Sequence, residues 1–271
     1  MDGLKLVRRG AAGVLAAAMC GGLSTLAPVD ERVRLTAARS GPPAPEPEPP
    51  GPKPEPKPPP PDCTRVKCLA LTFDDGPAES TGKLLDILAS RNVKATFFLI
   101  GENAAKYPGL VRREHEAGHE IADHSYTHAD LGSASKQKIV SELTRTQEAI
   151  RRASGVTPDM LRPPYGSTSK RLTRITRRMG MAQVLWTVDP LDWRDRDTED
   201  VERRVLTSAK PGDIVLLHDI HPTTVRAVPE IIDRLAAQGY VFVTVSELFG
   251  GHLTPGKEYT RLNSGEGQGL P

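Results

Sequence analysis

The chain has 271 residues, with 36 Lys+Arg against 34 Asp+Glu and a formal net charge of +2. That balance excludes a chain-wide basic surface built for nucleic acid or an acidic membrane. The length admits one or two domains, and the composition divides it unevenly.

Residues 1–27 carry Lys5, Arg8 and Arg9, then a short apolar run, then small residues around Thr25-Leu26-Ala27. This is the grammar of a secretory signal peptide, and the run falls short of the roughly 20 residues that span a bilayer. The mature chain is therefore expected to be secreted or associated with the cell envelope, with no membrane-spanning segment. Cys20 follows Met19, which is not the small residue of a lipidation site. Residues 28–61 are a Pro-rich linker; GPPAPEPEPPGPKPEPKPPPP cannot bury a core and favours extended polyproline II. Cys63 and Cys68 follow it, and in an exported chain two close cysteines read as a disulfide around a small loop.

From residue 62 to 250 strand and helix patterns alternate. Apolar, β-branched runs mark strands at CLALTF (68–73), KATFFLI (94–100), HEIADH (119–124), AQVLWTV (182–188), DIVLLH (213–218) and YVFVTV (240–245). Between them, helical patterns cover 80–92, 108–118, 135–155, 169–180, 198–209 and 224–239, with Gly118, Gly155, Gly180 and Gly239 at C-terminal positions. Alternation of this kind implies an α/β fold with a parallel sheet, closed or open. Residues 251–271 are polar and Gly-rich and are expected to be a flexible tail.

In such folds ligands sit at the carboxyl ends of the strands. Asp74 and Asp75 end the first strand, His124 the third and His218 the fifth, while Asp189 to Trp193 follow the fourth. The polar residues thus gather on one rim. No Gly-rich phosphate loop follows the first strand, which argues against a dinucleotide enzyme. HSYTH places His124 and His128 four apart, so that one helical turn would turn both imidazoles to one ion. With a carboxylate on the same rim they make a two-His, one-carboxylate site with open positions for water. The adjacent Asp74 and Asp75 repel one another unless a cation lies beside them, and such an ion supplies it. Strand geometry sends neighbouring side chains to opposite faces, so the Gly76-Pro77 turn has to bend the chain for both to line one pocket.

LTFDDGP, HSYTH, LRPPYGS, VDPLDW and IVLLH, in this order, resemble the five motifs of the polysaccharide deacetylases, the family-four carbohydrate esterases with the NodB-homology domain. The resemblance covers residues 68–250. It implies a distorted, incomplete (β/α) barrel that hydrolyses N- or O-acetyl groups on sugars with a divalent metal, most often Zn, with Co, Ni or Mn as alternatives. Carried over residue by residue, it implies that Asp75, His124 and His128 hold the metal and that Asp74 is the general base. Arg162 would orient Asp74, and the Tyr165 backbone amide would face the oxyanion. His218 would be the general acid tuned by Asp192, with Trp193 and Leu216 walling the acetyl slot. Asp189 and His221 receive no role. The expected partner is an acetylated polysaccharide, such as peptidoglycan or chitin oligosaccharides, met by a monomer and without nucleic acid. An O-acetyl esterase on acetylxylan, a non-haem iron oxygenase and a non-catalytic sugar-binding module stand as alternatives.

Overall fold

The computed structural model describes residues 59–263. The expected signal peptide, residues 28–58 of the linker and the tail beyond 263 lie outside the described residues. Among the described residues eight strands and nine helices follow in chain order. They are β1 (Lys67–Asp74), α1 (Thr81–Ser90), β2 (Thr96–Leu99), α2 (Gly101–Lys106), α3 (Pro108–Glu116), β3 (Glu120–Asp123), α4 (Lys136–Ser154) and β4 (Met160–Leu161). After a 3-10 turn at Pro164–Gly166 come α5 (Lys170–Arg178), β5 (Ala182–Val184), α6 (Asp192–Asp195), α7 (Thr198–Ser208) and β6 (Ile214–His218). The series ends with α8 (Pro222–Ala237), β7 (Tyr240–Phe242), α9 (Val245–Leu248) and β8 (Glu258–Tyr259). Among the described residues no helix is long and apolar enough to cross a membrane.

The strands run parallel in the order β6-β1-β2-β3-β4-β5-β8, with β7 paired to the start of β1. This curled, unclosed sheet with helices outside is a distorted, incomplete (β/α) barrel. Side-chain parity explains two of its three apolar clusters. Leu69, Leu71 and Phe73 of β1 join Phe97, Leu99, Val215 and Leu217 in the cluster that packs under the helices. Cys68, Ala70, Phe98, Ala122, Met160, Val184 and Ile214 form the other cluster. Small residues dominate the β1 contribution to that second face, and the next positions along it are Thr72 and Asp74, both buried.

Three differences from the expected elements matter. The strand expected over 182–188 stops at Val184, and Val188 makes only a bridge to Val215 of β6. The strand expected to Val245 stops at Phe242, because Thr244 caps α9 with its hydroxyl on the Glu247 N–H. Of the tail expected to be loose from Gly251, the described part, up to residue 263, is instead built into the sheet. Glu258 and Tyr259 pair with β5, Tyr259 is buried, and the Leu262 N–H donates to the Gly212 carbonyl at 2.8 Å. Cys63 and Cys68 are disulfide-bonded, fastening the entry of the chain to β1.

Candidate active site

Parity sends Asp74 to the same face as Thr72, and an extended Asp75 would point away. Asp75 instead has φ 72°, a left-handed conformation that turns its carboxylate back to the rim. The bend is braced from outside: Asn103 Nδ2 donates to the Asp75 carbonyl at 2.7 Å, and the Ile100 N–H donates to the Gly76 carbonyl at 3.2 Å. Position 76 has to be glycine because a Cβ there would lie 2.5 Å from Oδ1 of the fully buried Asp219. Asp219 also accepts from the hydroxyls of Ser80, through its carbonyl, and Thr81, through its carboxylate.

The segment from His124 to His128 is a loop, not the helical turn its spacing suggested. Ser125 and His128 have φ 63° and 55°. Two carboxylates impose this shape: Asp123 Oδ1 accepts from the Ser125 N–H at 2.7 Å, and Glu142 Oε2 accepts from the Tyr126 and Thr127 N–H groups at 2.8 Å each. The loop brings the two imidazole centroids to 5.0 Å and sets each Nε2 3.4 Å from Asp75 Oδ1. Each Nδ1 is engaged elsewhere, His124 with the Arg162 carbonyl at 2.7 Å and His128 with the Tyr165 hydroxyl at 3.1 Å. Burial pushes His124 down to about 3, so its ring is neutral.

A divalent cation fits this set. One donor atom from each of Asp75, His124 and His128 lies within 4.8 Å of the others, and Asp75 Oδ1 is a buried acceptor with no hydrogen-bond partner. Two ring nitrogens and one carboxylate oxygen, with the far ring nitrogens held by other groups, form a donor set suited to Zn²⁺ and its neighbours.

The proton-handling groups lie alongside. Asp74 and His218 are register partners at the ends of β1 and β6. Asp74 Oδ1 is held at 2.6 Å by Nη1 of Arg162, which is fully buried, also donates to Thr72 Oγ1 at 2.8 Å, and lies 4.0 Å over the Phe98 ring. Burial raises the Asp74 carboxyl above its ordinary value, and the Arg162 charge opposes that rise. His218 Nδ1 contacts Asp192 Oδ1 at 2.9 Å, while Asp192 Oδ2 accepts from the His218 N–H and Thr224 Oγ1 at 2.8 Å each. Burial works against the imidazolium, but the Asp192 contact and the charges of Asp74 and Asp75 raise His218 to about 9.

A model of the polysaccharide deacetylase family matches residues 62–184. The solved structure of a T48 deacetylase with substrate is 44% identical, with a TM-score of 0.71 over 73% of this chain and 98% of that one. The chain belongs to the polysaccharide deacetylase family. The peptidoglycan-N-acetylglucosamine deacetylase PgdA of Listeria monocytogenes is 43% identical over 194 residues, 71% of this chain and 41% of that protein. The chain thus spans about two fifths of that relative's length. A family 4 acetyl xylan esterase from Clostridium thermocellum, solved with a cobalt ion, is 33% identical with a TM-score of 0.68, over 72% of this chain and 99% of that one.

The remaining positions matched to the deacetylase motifs border the same rim. Tyr165, at φ 62° between Pro164 and Gly166, is 71% exposed, and its ring packs edge-on at 4.7 Å to His128. Leu216 is buried two residues before His218, and Trp193 on α6 is 47% exposed beside Asp192. Asp189, left without a role by the motif match, accepts the Leu191 N–H at 2.8 Å and supports the left-handed Leu191 that opens α6. His221 lies 6.1 Å from His218, ring to ring, at the start of α8. Sequence reading missed Thr72, Asn103, Glu142, Asp219 and Thr224, which hold the site from a distance. Thr72 lies inside the LTFDDGP segment and Asp219 directly after IVLLH, but neither carries a periodicity or spacing signal of its own, and the other three lie outside the motif segments.

Proposed function

We propose that the chain is a metal-dependent hydrolase that removes acetyl groups from an extracellular polysaccharide, an N-acetylglucosamine polymer. The observation that carries this reading is the meeting of Asp75, His124 and His128 donor atoms within 4.8 Å, beside Asp74 and His218 on paired strand ends. Asp75, His124 and His128 would hold the cation, for which Zn²⁺ is the preferred identity. Bound there, it supplies Lewis acidity that brings the pKa of a water toward about 7.

The chain's own groups do the rest. Asp74, fixed by Arg162, accepts the proton of the water that attacks the acetyl carbonyl. The backbone N–H of Tyr165 donates to the oxyanion, a role whose loss costs roughly 10²–10³ in rate where it has been measured in other enzymes. His218, charged at neutral pH and held by Asp192, protonates the leaving nitrogen, releasing acetate and a free amine. Leu216 and Trp193 exclude water around the methyl group. The composition of residues 1–61 supports export. The acetyl xylan esterase likeness supports a second reading, hydrolysis of O-acetyl esters, by the same groups.

The test is acetate release from N-acetylated peptidoglycan, chitin oligomers and acetylxylan by the purified full chain. Chelation should abolish it, and stoichiometric Zn²⁺ or Co²⁺ should restore it. Turnover that persists after the metal has been removed and quantified as absent overturns the proposal, and the favoured polymer separates the two acetyl chemistries.

A further inference from the structure

Helix α5, KRLTRITRR, carries Lys170, Arg171, Arg174, Arg177 and Arg178 and no acidic residue. All five cations are exposed. At 100° per residue they occupy one arc of about 120°, opposite the buried Leu172, Ile175 and Thr176. Several surface arginines on other helices pair with carboxylates: Arg91 with Asp233, Arg113 with Asp86, Arg203 with Asp200, Arg234 with Glu230. Among the described residues none of the five on α5 forms an ion pair; Arg171 donates to the Ala134 carbonyl at 2.8 Å. Glu258 borders the face across a shallow hollow shared with Lys170 and Arg174.

Helix stability does not account for this pattern. Arg177 and Arg178 in the last turn suit the helix dipole, whereas Lys170 and Arg171 in the first turn oppose it. In a chain of net charge +2, the concentration is local. It also lies close to the cleft: Lys170 is five residues from Tyr165, so their Cα atoms are at most about 17 Å apart. From there α5 extends about 13 Å.

Resting on the proposed function, we infer that α5 is an exosite for the carboxylate groups of the polymer whose acetylated sugar occupies the cleft. One strand of carboxylated wall glycan can fill both surfaces, so the second contact forms at high effective concentration. A lipid surface is a poorer partner, because the apolar side of α5 packs against Leu131, Ile139 and Leu143 and leaves nothing to insert.

The test compares the wild type with the variant Lys170→Gln/Arg174→Gln/Arg177→Gln/Arg178→Gln, which spares Arg171 and the catalytic residues. At low salt the variant should show a KM about tenfold higher on sacculi stripped of phosphate polymers, with kcat unchanged, and an unaltered KM on a short neutral N-acetylchitooligosaccharide. Added salt should erase the difference on sacculi. Equal KM values on sacculi, an equal loss on the neutral oligosaccharide, or a loss seen only when phosphate polymers are present each overturn the exosite. Co-sedimentation with stripped sacculi reads the surface independently of turnover. Weaker retention of the variant with no acetate released by either protein would sink the functional proposal and leave the basic surface standing.

Discussion

At the residue scale, the two candidate ligand imidazoles are supported unequally. His124 is held by a buried backbone carbonyl that no substitution removes, while His128 depends on the exposed phenol of Tyr165. Tyr165→Phe keeps the backbone N–H proposed for the oxyanion and deletes only this support. Metal affinity should fall by about 10–100-fold in a competition titration, with kcat largely recovered at saturating metal. Unchanged affinity would show the contact to be incidental. His218 carries the second expectation. Its acid form is lost as pH rises through about 9, so activity should decline on that alkaline side. Asp192→Asn removes the group that contributes most to holding the proton. The alkaline limb of the kcat profile should then move to lower pH, and a limb that stays in place would remove Asp192 from this role.

At the scale of elements, the site is a set of strand ends whose loops are bent by residues remote in sequence. Parity explains Asp74 and His218, since they face each other across neighbouring parallel strands. It does not explain Asp75, His128 or Tyr165, which all adopt left-handed backbone and owe it to their surroundings. Glu142, on α4, accepts the Tyr126 and Thr127 N–H groups and so shapes the histidine loop without touching the metal position. Glu142→Ala takes the acceptor away from two part-buried backbone donors, at about 0.5–1.5 kcal/mol for each hydrogen bond lost. It should lower the denaturation midpoint and weaken metal binding together; loss of stability with unaltered metal affinity would mean that the loop holds its shape without Glu142. The histidine spacing announced a shared ion, but its i,i+4 logic was wrong for a loop. Periodicity cannot distinguish a helical pair from two residues folded together by a carboxylate fourteen positions downstream.

For the folded unit as a whole, the end of the sheet was the feature least visible in the sequence. A polar, Gly-rich stretch reads as loose, yet Tyr259 is buried and Arg261 Nη2 pairs at 2.9 Å with the buried Asp213. Truncation after Gly250 strips β5 of a neighbour and leaves Asp213 short of a partner. A chain ending there should be less stable by about 3–5 kcal/mol, from one buried aromatic and several lost hydrogen bonds. Chemical denaturation of both chains measures this, and matching midpoints would show the last strand to be ornamental.

The amino-acid order by itself determined the alternating strand and helix pattern, the gathering of Asp74, His124, Asp192 and His218 at one set of strand ends, and the family motifs. These follow from local periodicity and from chain direction in a parallel sheet, which short windows of sequence contain. Tertiary structure alone decided the left-handed backbone by which the bend expected at Asp75 is made, the loop at His128, the bracing by Thr72, Asn103, Glu142 and Thr224, and the capture of the last strand. Those depend on hydrogen-bond partners far away along the chain, and a buried donor or acceptor takes its partner from whatever the fold brings near, not from what the neighbouring letters announce.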